Sequence, residues 1–111
     1  MAGQILGDES AFSDLRARTI AVLRSIEPEL RRRGVVGLRL FGSSARGEAT
    51  LASDVDLLLT PAPGRRFSLL DMSSVRLFVS EHLGREASVM IDEDASPEFT
   101  ARITADLVTI Y

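Results

Sequence analysis

The chain has 111 residues, a formal net charge of -3, 45% hydrophobic and 26% charged residues, and no cysteine. This length predicts a single domain, residues 1–111, that buries roughly 60 to 70% of the area its unfolded chain exposes. The acidic balance argues against direct, sequence-independent nucleic-acid binding, which needs a basic face, and the lack of cysteine excludes disulfides and thiolate chemistry.

Targeting and membrane signals are missing from the sequence pattern. The first residues, MAGQILGDES, show no basic region followed by an apolar run, and no stretch approaches the ~20 apolar residues that span a bilayer. We therefore expect a cytoplasmic protein without a membrane partner.

The first half of the chain predicts a helix followed by two strands. Apolar residues recur at steps of three and four from Ala11 to Arg33, as in an amphipathic helix that Pro28 breaks or kinks. A strand is predicted from Val35 to Phe41, ended by Gly42. A polar loop, Ser43 to Ser53, leads to a second strand from Asp54 to Thr60.

The second half predicts a further helix and two short strands. Ser68 and Asp71 have the spacing of a capping box, and Gly84 is expected to end the helix. The residues from Ala87 to Ile91 predict a third strand. After Pro97 we expect a short helical turn and an edge strand from Leu107 to Tyr111.

Asp54 and Asp56 are the strongest candidates for site residues. Alternate side chains project from one face of a strand, so the two carboxylates should stand side by side. Such a pair favours a hard cation such as Mg²⁺, which takes its other ligands from water and substrate phosphates, as in nucleotidyl transfer. Two solvated aspartates at the start of a strand are the alternative, and the Asp-x-Asp pattern alone favours that alternative.

Gly42 and Ser43 follow the preceding strand directly. A glycine at a strand end lets backbone N–H groups approach a triphosphate closely, and a serine hydroxyl adds a donor. The segment is not a P-loop, since FGSSARGEAT contains no lysine. A Gly-Ser pair by itself is a common turn.

Taken together, FGSSARGEATLASDVDLLL resembles the DNA-polymerase-β-like nucleotidyltransferase superfamily, and within it the minimal nucleotidyltransferase (MNT) antitoxins of HEPN/MNT toxin–antitoxin pairs. The resemblance implies an α/β (α+β) fold with a small mixed sheet, helices on one face and the active site on the other. It also implies ATP as donor and transfer of AMP to a tyrosine of a HEPN-domain toxin. Gly42 and Ser43 would contact the triphosphate, and Asp54 and Asp56 would bind Mg²⁺.

One position departs from the family pattern. Active members place a third carboxylate on the strand after the second helix, and aligning Leu83, Gly84 and Arg85 with the usual helix end puts Ser88 there. A serine is neither an anionic metal ligand nor a base of matching strength. Glu86 and Asp92 share the strand parity of Ser88, but Asp92 lies roughly 13 Å along an extended strand.

Three hypotheses remain open. The first is an Mg²⁺-dependent transferase that moves AMP to a protein hydroxyl, with Arg46 paired to phosphate or simply solvated. The second is a catalytically degenerate antitoxin that neutralises its toxin by binding alone. The third, an enzyme that modifies small molecules, is disfavoured by length, since such relatives usually carry an extra substrate domain.

Overall fold

The structure is a computed structural model that describes the backbone of residues 7–111 and the side chains of residues 14–111. Helices and strands alternate along this part of the chain. The helices are α1 (Gly7–Ser25), α2 (Glu27–Arg32), α3 (Gly42–Arg46), α4 (Leu69–Leu83) and α5 (Pro97–Ile103). The strands are β1 (Val35–Phe41), β2 (Val55–Pro61), β3 (Ala87–Ile91) and β4 (Val108–Thr109), and 3₁₀ turns cover Asp92–Asp94 and Thr104–Asp106.

The four strands form one mixed sheet in the order β3-β2-β1-β4. β1 pairs with β2 and with β4 in antiparallel register, whereas β2 and β3 run parallel, with α4 as the crossover between them. The mixed sheet and the α/β fold class predicted from the resemblance are confirmed. No helix within residues 7–111 is long and apolar enough to cross a membrane.

The core lies on one face of the sheet, which we call the core face. Apolar side chains of β1, β2 and β3 pack there against α1, α2 and α4, and together they form one buried cluster that includes Leu23, Leu30, Leu38, Leu40, Val55, Leu57, Leu59, Val75, Val79 and Ile91. Because strand side chains alternate, the residues between them face the other side, which we call the open face. It carries Arg39, Phe41, Asp56, Thr60 and Ser88.

Local signals place α4 where the sequence predicts it. The Ser68 hydroxyl accepts a hydrogen bond from the Asp71 N–H, and the Asp71 side chain accepts one from the Ser68 N–H. Gly84 closes the helix in the left-handed region, at φ 67°. Val75 and Val79 are buried on its inner side.

Several predicted boundaries differ from the structure. The predicted first helix is two helices that separate after Ser25, and Pro28 lies in the first turn of α2, where proline is tolerated. β2 begins at Val55 rather than Asp54. The predicted loop from Ser43 contains the five-residue helix α3, whose Ser44 and Ala45 are buried.

The C-terminal segment crosses to the open face before it reaches the sheet edge. The Phe99 ring of α5 packs edge-on against Phe41, with ring centroids 5.6 Å apart. β4 is shorter than predicted, although the Ile110 N–H still donates to the Leu38 carbonyl at 2.8 Å. The Tyr111 hydroxyl donates to the Val35 carbonyl at 3.0 Å, and burial raises the pKa of Tyr111 to about 12.

Candidate nucleotide site

Asp54 and Asp56 lie at the entrance to β2. Asp54 is exposed just before the strand, and Asp56 is half-buried on the open face as the second residue of the strand. The neighbouring Val55 points into the core and is fully buried. Because side chains alternate along a strand, the residues on either side of it, Asp54 and Asp56, point away from the core. The structure therefore brings the predicted pair together at the end of the sheet where β1 gives way to α3.

Gly42 lies directly against Asp56. Phe41, the last residue of β1, is the register partner of Asp56, so the chain turns into α3 beside this carboxylate. Gly42 adopts φ 74°, in a backbone region that residues other than glycine rarely occupy. A Cβ at this position would lie 3.3 Å from Asp56 Cγ and would collide with its Oδ2. Both backbone conformation and space therefore require glycine at position 42.

The environment of Asp56 disfavours its ionised form. Burial raises the pKa of Asp56, and the negative charge of Asp54 raises it further, whereas the nearby guanidinium of Arg46 lowers it. A half-buried carboxylate beside a second carboxylate is a group that an added cation would stabilise. Asp56 is therefore not a freely solvated aspartate, whereas Asp54 is exposed.

Ser43 and Arg46 both belong to α3. Within residues 14–111, no side chain caps the N-terminus of α3. Arg46, in the last turn, is paired with two carboxylates: its Nε is 2.9 Å from Glu48 Oε1 and its Nη1 is 3.4 Å from Asp106 Oδ2. The guanidinium of Arg46 is therefore held in ion pairs instead of being freely solvated.

Ser88 occupies the position beside Asp56 on the open face. The parallel register pairs Asp56 with Ser88, and neighbouring strands lie about 4.8 Å apart. Ser88 is exposed. Among the residues whose side chains are described, no group of three or more His, Cys, Asp or Glu residues could hold a metal ion. The site therefore offers two carboxylates and a hydroxyl.

Neither Glu86 nor Asp92 supplies a third carboxylate. Glu86 precedes β3, and its Oε1 accepts a hydrogen bond from Arg76 of α4 at 3.2 Å. Asp92 follows β3 at the far end of the open face, where it accepts a hydrogen bond from the Thr60 hydroxyl at 2.6 Å and lies 3.5 Å from Arg39 Nη2. The Glu86 carbonyl accepts a hydrogen bond from the Val55 N–H at 2.9 Å, so the backbone of Glu86 lies beside β2, but its carboxylate is paired with Arg76. Asp92 is paired with Arg39 at the opposite end of the sheet.

Sequence reasoning missed Arg85 entirely. Its side chain is only 8% exposed and hydrogen-bonds to the segment that joins α3 to β2. Arginine is rarely buried to this degree, and nothing in the pattern of neighbouring residues distinguishes Arg85 from a solvated residue after a helix.

The nucleotidyltransferase domain family matches residues 23–108, from α1 to β4. The chain belongs to this family. The match contains Gly42, Ser43, Asp54 and Asp56, and it confirms the resemblance stated from the sequence. The chain is therefore a nucleotidyltransferase, a class of enzyme that acts on a nucleotide substrate.

Relatives and solved structures agree with this assignment. A protein of Methanocaldococcus jannaschii named "Putative protein adenylyltransferase MJ0435" is 34% identical over 89 residues, covering 80% of this chain and 94% of its own. The solved "Structure of putative minimal nucleotidyltransferase" is also 34% identical, with a TM-score of 0.65, and the match covers 87% of this chain and 93% of that one. These similarities identify the chain as a homologue of minimal nucleotidyltransferases.

A more distant structure shares the fold alone. It contains a tri-AMPylated Shewanella oneidensis HEPN toxin in complex with an MNT antitoxin. The identity is 13% and the TM-score 0.55, over 90% of this nucleotidyltransferase and 71% of the other chain.

Proposed function

We propose that this nucleotidyltransferase is an Mg²⁺-dependent protein adenylyltransferase that transfers AMP from ATP to a tyrosine of a HEPN-domain toxin, and thereby acts as its antitoxin in the cytoplasm. The name of the archaeal relative supports the reaction class. The structural neighbour, in which an AMPylated HEPN toxin is bound to an MNT antitoxin, supports the partner. The chain would act as a single minimal domain, residues 1–111.

The contact between Gly42 and Asp56 is the observation that carries the proposal. A nucleotidyl transfer site must bring the phosphate-binding turn and the metal-binding carboxylates within reach of one triphosphate. Here the turn packs directly on the carboxylate, and a single added methyl at Gly42 would collide with it. The N–H groups of the first turn of α3 and the Ser43 hydroxyl are then donors for phosphate oxygens beside Asp54 and Asp56.

The donor set fits Mg²⁺ that arrives with the nucleotide. Asp54 and Asp56 would hold the ion, and water and phosphate oxygens would complete its preferred six oxygen ligands. The raised pKa of Asp56 means that a cation stabilises its charged form. When bound, the ion supplies charge neutralisation for the triphosphate. With only two carboxylates, the protein should bind Mg²⁺ weakly until ATP is present.

The proposed reaction forms one bond and breaks one bond. The tyrosine Oη bonds to the α-phosphorus of ATP, the bond from that phosphorus to the bridging oxygen breaks, and pyrophosphate leaves. The phenol proton must leave as well. Because Ser88 stands where a carboxylate base would be, this proton passes to water or to a group of the partner. The transferase should therefore be slow.

Labelled ATP tests the reaction directly. ATP labelled at the α-phosphate should transfer its label to a HEPN-domain partner when the chain and Mg²⁺ are both present, whereas ATP labelled at the γ-phosphate should not. Asp54→Asn and Asp56→Asn should each abolish transfer. Label arriving from the γ-phosphate would indicate a kinase and contradict the proposal.

Ser88 favours a second candidate function, an antitoxin that neutralises its toxin by binding alone. In this case Asp56→Asn should leave inhibition of the toxin ribonuclease intact, and no label should be transferred by the parent chain. The first candidate predicts the opposite result in both assays.

A further inference from the structure

Arg85 is a buried cation next to the proposed site. It lies between Gly84, which closes α4, and the first residue of β3, and its side chain is only 8% exposed. Among the residues described here, it forms no ion pair with a carboxylate, and its Nε has no hydrogen-bond partner. Burial lowers the pKa of Arg85, because it disfavours the charged guanidinium.

The contacts of Arg85 connect both halves of the site. Its Nη2 donates to the Ser53 carbonyl at 3.0 Å and to the Thr50 carbonyl at 3.2 Å, and it lies 3.4 Å from the Ser44 hydroxyl. Its Nη1 donates to the Thr19 hydroxyl of α1 at 3.2 Å. Ser44 directly follows Ser43, and Ser53 directly precedes Asp54.

These contacts hold the second half of the segment between α3 and β2, whose first half is held by the hydrogen bond from the Glu48 N–H to the Ser43 carbonyl and by the buried Ala49. Residues 47–54 contain no regular secondary structure, and the turn from Thr50 to Ser53 is closed by its own hydrogen bonds, among them Ser53 N–H to Thr50 carbonyl at 3.0 Å. Only Arg85 ties the Thr50 and Ser53 carbonyls of this turn to a distant part of the described chain. The planar guanidinium directs its donors in fixed directions, which suits such bridging better than an ammonium group.

We infer that Arg85 is a positioning residue for nucleotidyl transfer: it holds Ser44 and Ser53 at a set separation and so fixes the phosphate-binding turn relative to Asp54. This inference rests on the proposed nucleotide site. It assigns Arg85 no contact with substrate. Small displacements of binding groups reduce transfer strongly, so the loss of such a brace should be measurable.

The test compares Arg85→Lys, Arg85→Met and Val79→Ala. Arg85→Lys keeps the charge and most of the volume, and it should fold. Val79→Ala removes buried volume from the core without touching the site, so it is the control for lost stability alone. Each variant is studied by hydrogen exchange of the amides in residues 48–54 and by calorimetric titration with Mg·ATP, at a temperature where circular dichroism shows it folded.

In both Arg85 variants we expect the amides of residues 48–54 to exchange faster than in the parent chain, while exchange in β1 and β2 stays at the parent rate. Both variants should bind Mg·ATP about tenfold more weakly than the parent. Val79→Ala should show neither effect. Parent-like exchange and affinity in Arg85→Lys would overturn the inference, as would an equal loss of affinity in Val79→Ala. If the parent chain fails to bind Mg·ATP, the proposed function is refuted, whereas exchange still decides whether Arg85 holds the segment.

Discussion

Asp56 and Ser88 are register partners across β2 and β3, and both side chains face the open side of the sheet. The hydroxyl of Ser88 therefore stands beside a carboxylate whose pKa is raised by burial and by Asp54. A carboxylate at position 88 would be a third anion beside Asp54 and Asp56, and it would complete the metal site that we propose for this pair.

Ser88→Asp should convert this arrangement into a stronger metal site. We expect tighter Mg²⁺ binding in the absence of nucleotide and faster adenylyl transfer, by roughly 100-fold, because the new anion binds the ion and can accept the acceptor proton. Calorimetry with MgCl₂ alone and transfer of α-labelled ATP measure the two effects. Asparagine matches aspartate in size but carries no charge. Equal activation by Ser88→Asn and Ser88→Asp would therefore show that the added charge does not cause the faster transfer.

Asp56→Asn should stabilise the fold at neutral pH. Because the folded-state pKa of Asp56 is raised, the stability linked to its proton is complete below the ordinary carboxyl pKa, about 4, and is lost as pH rises through the raised value. Asparagine cannot ionise, so the variant should unfold up to about 5 °C above the parent at pH 7. This difference should vanish below about pH 4.

Asp92→Asn is the control for the Asp56 variant. Asp92 accepts hydrogen bonds from Thr60 and Arg39, so neutralising it should lower the unfolding temperature instead. Thermal unfolding followed by circular dichroism from pH 3 to pH 8, about the range in which carboxylates titrate, measures both changes. A lower unfolding temperature for Asp56→Asn at pH 7 would contradict the prediction, because it would mean that the ionised carboxylate stabilises the fold through contacts within the protein.

Gly42→Ala should abolish Mg·ATP binding, and Gly64→Ala provides a matched control. The two glycines have nearly the same backbone conformation, with φ 74° and 76°, so both substitutions incur a similar strain of about 1 kcal/mol. A Cβ at Gly42 collides with Asp56, whereas one at Gly64 meets no atom within 4 Å. Equal losses of affinity in the two variants, measured on folded samples, would mean that backbone strain rather than the Asp56 contact is responsible.

Arg46→Gln should shift the pH dependence of nucleotide binding. The charge of Arg46 lowers the pKa of Asp56, so its removal raises that pKa and moves the midpoint for Mg·ATP binding to higher pH. Titrations of Mg·ATP affinity as a function of pH test this shift. Arg66→Gln, at an exposed loop position, should leave the midpoint unchanged.

The parts of the fold that the sequence predicts are those with local physical signals. The capping box at Ser68 and the left-handed Gly84 fix both ends of α4, and β-branched and apolar runs identify β1 and β3. α3 escapes such reasoning because five residues carry no helical period, and its stability comes from burial of Ser44 and Ala45.

The candidate site likewise has residues that the sequence predicts and one that it does not. Its motif residues are recognisable only in combination, because Gly-Ser and Asp-x-Asp are each common patterns, whereas the two together resemble the nucleotidyltransferases. The parallel register then places Ser88 beside Asp56. Arg85 could not be predicted, because its burial depends on contacts with residues 66 and 41 positions away in the chain. The roles of Gly42, Ser43, Arg46, Asp54 and Asp56 in catalysis remain predictions for the experiments above.

The packing of Phe99 on Phe41 determines the direction from which a large acceptor can approach. α5 covers the β1 side of the open face, and the Arg46–Asp106 pair fastens the segment after it to α3. The opposite side, along β3, carries the exposed Ser88 and the partly buried Met90. If the acceptor is a tyrosine of another protein, as we propose, its open path to Asp56 leads over β3 and past the hydroxyl of Ser88.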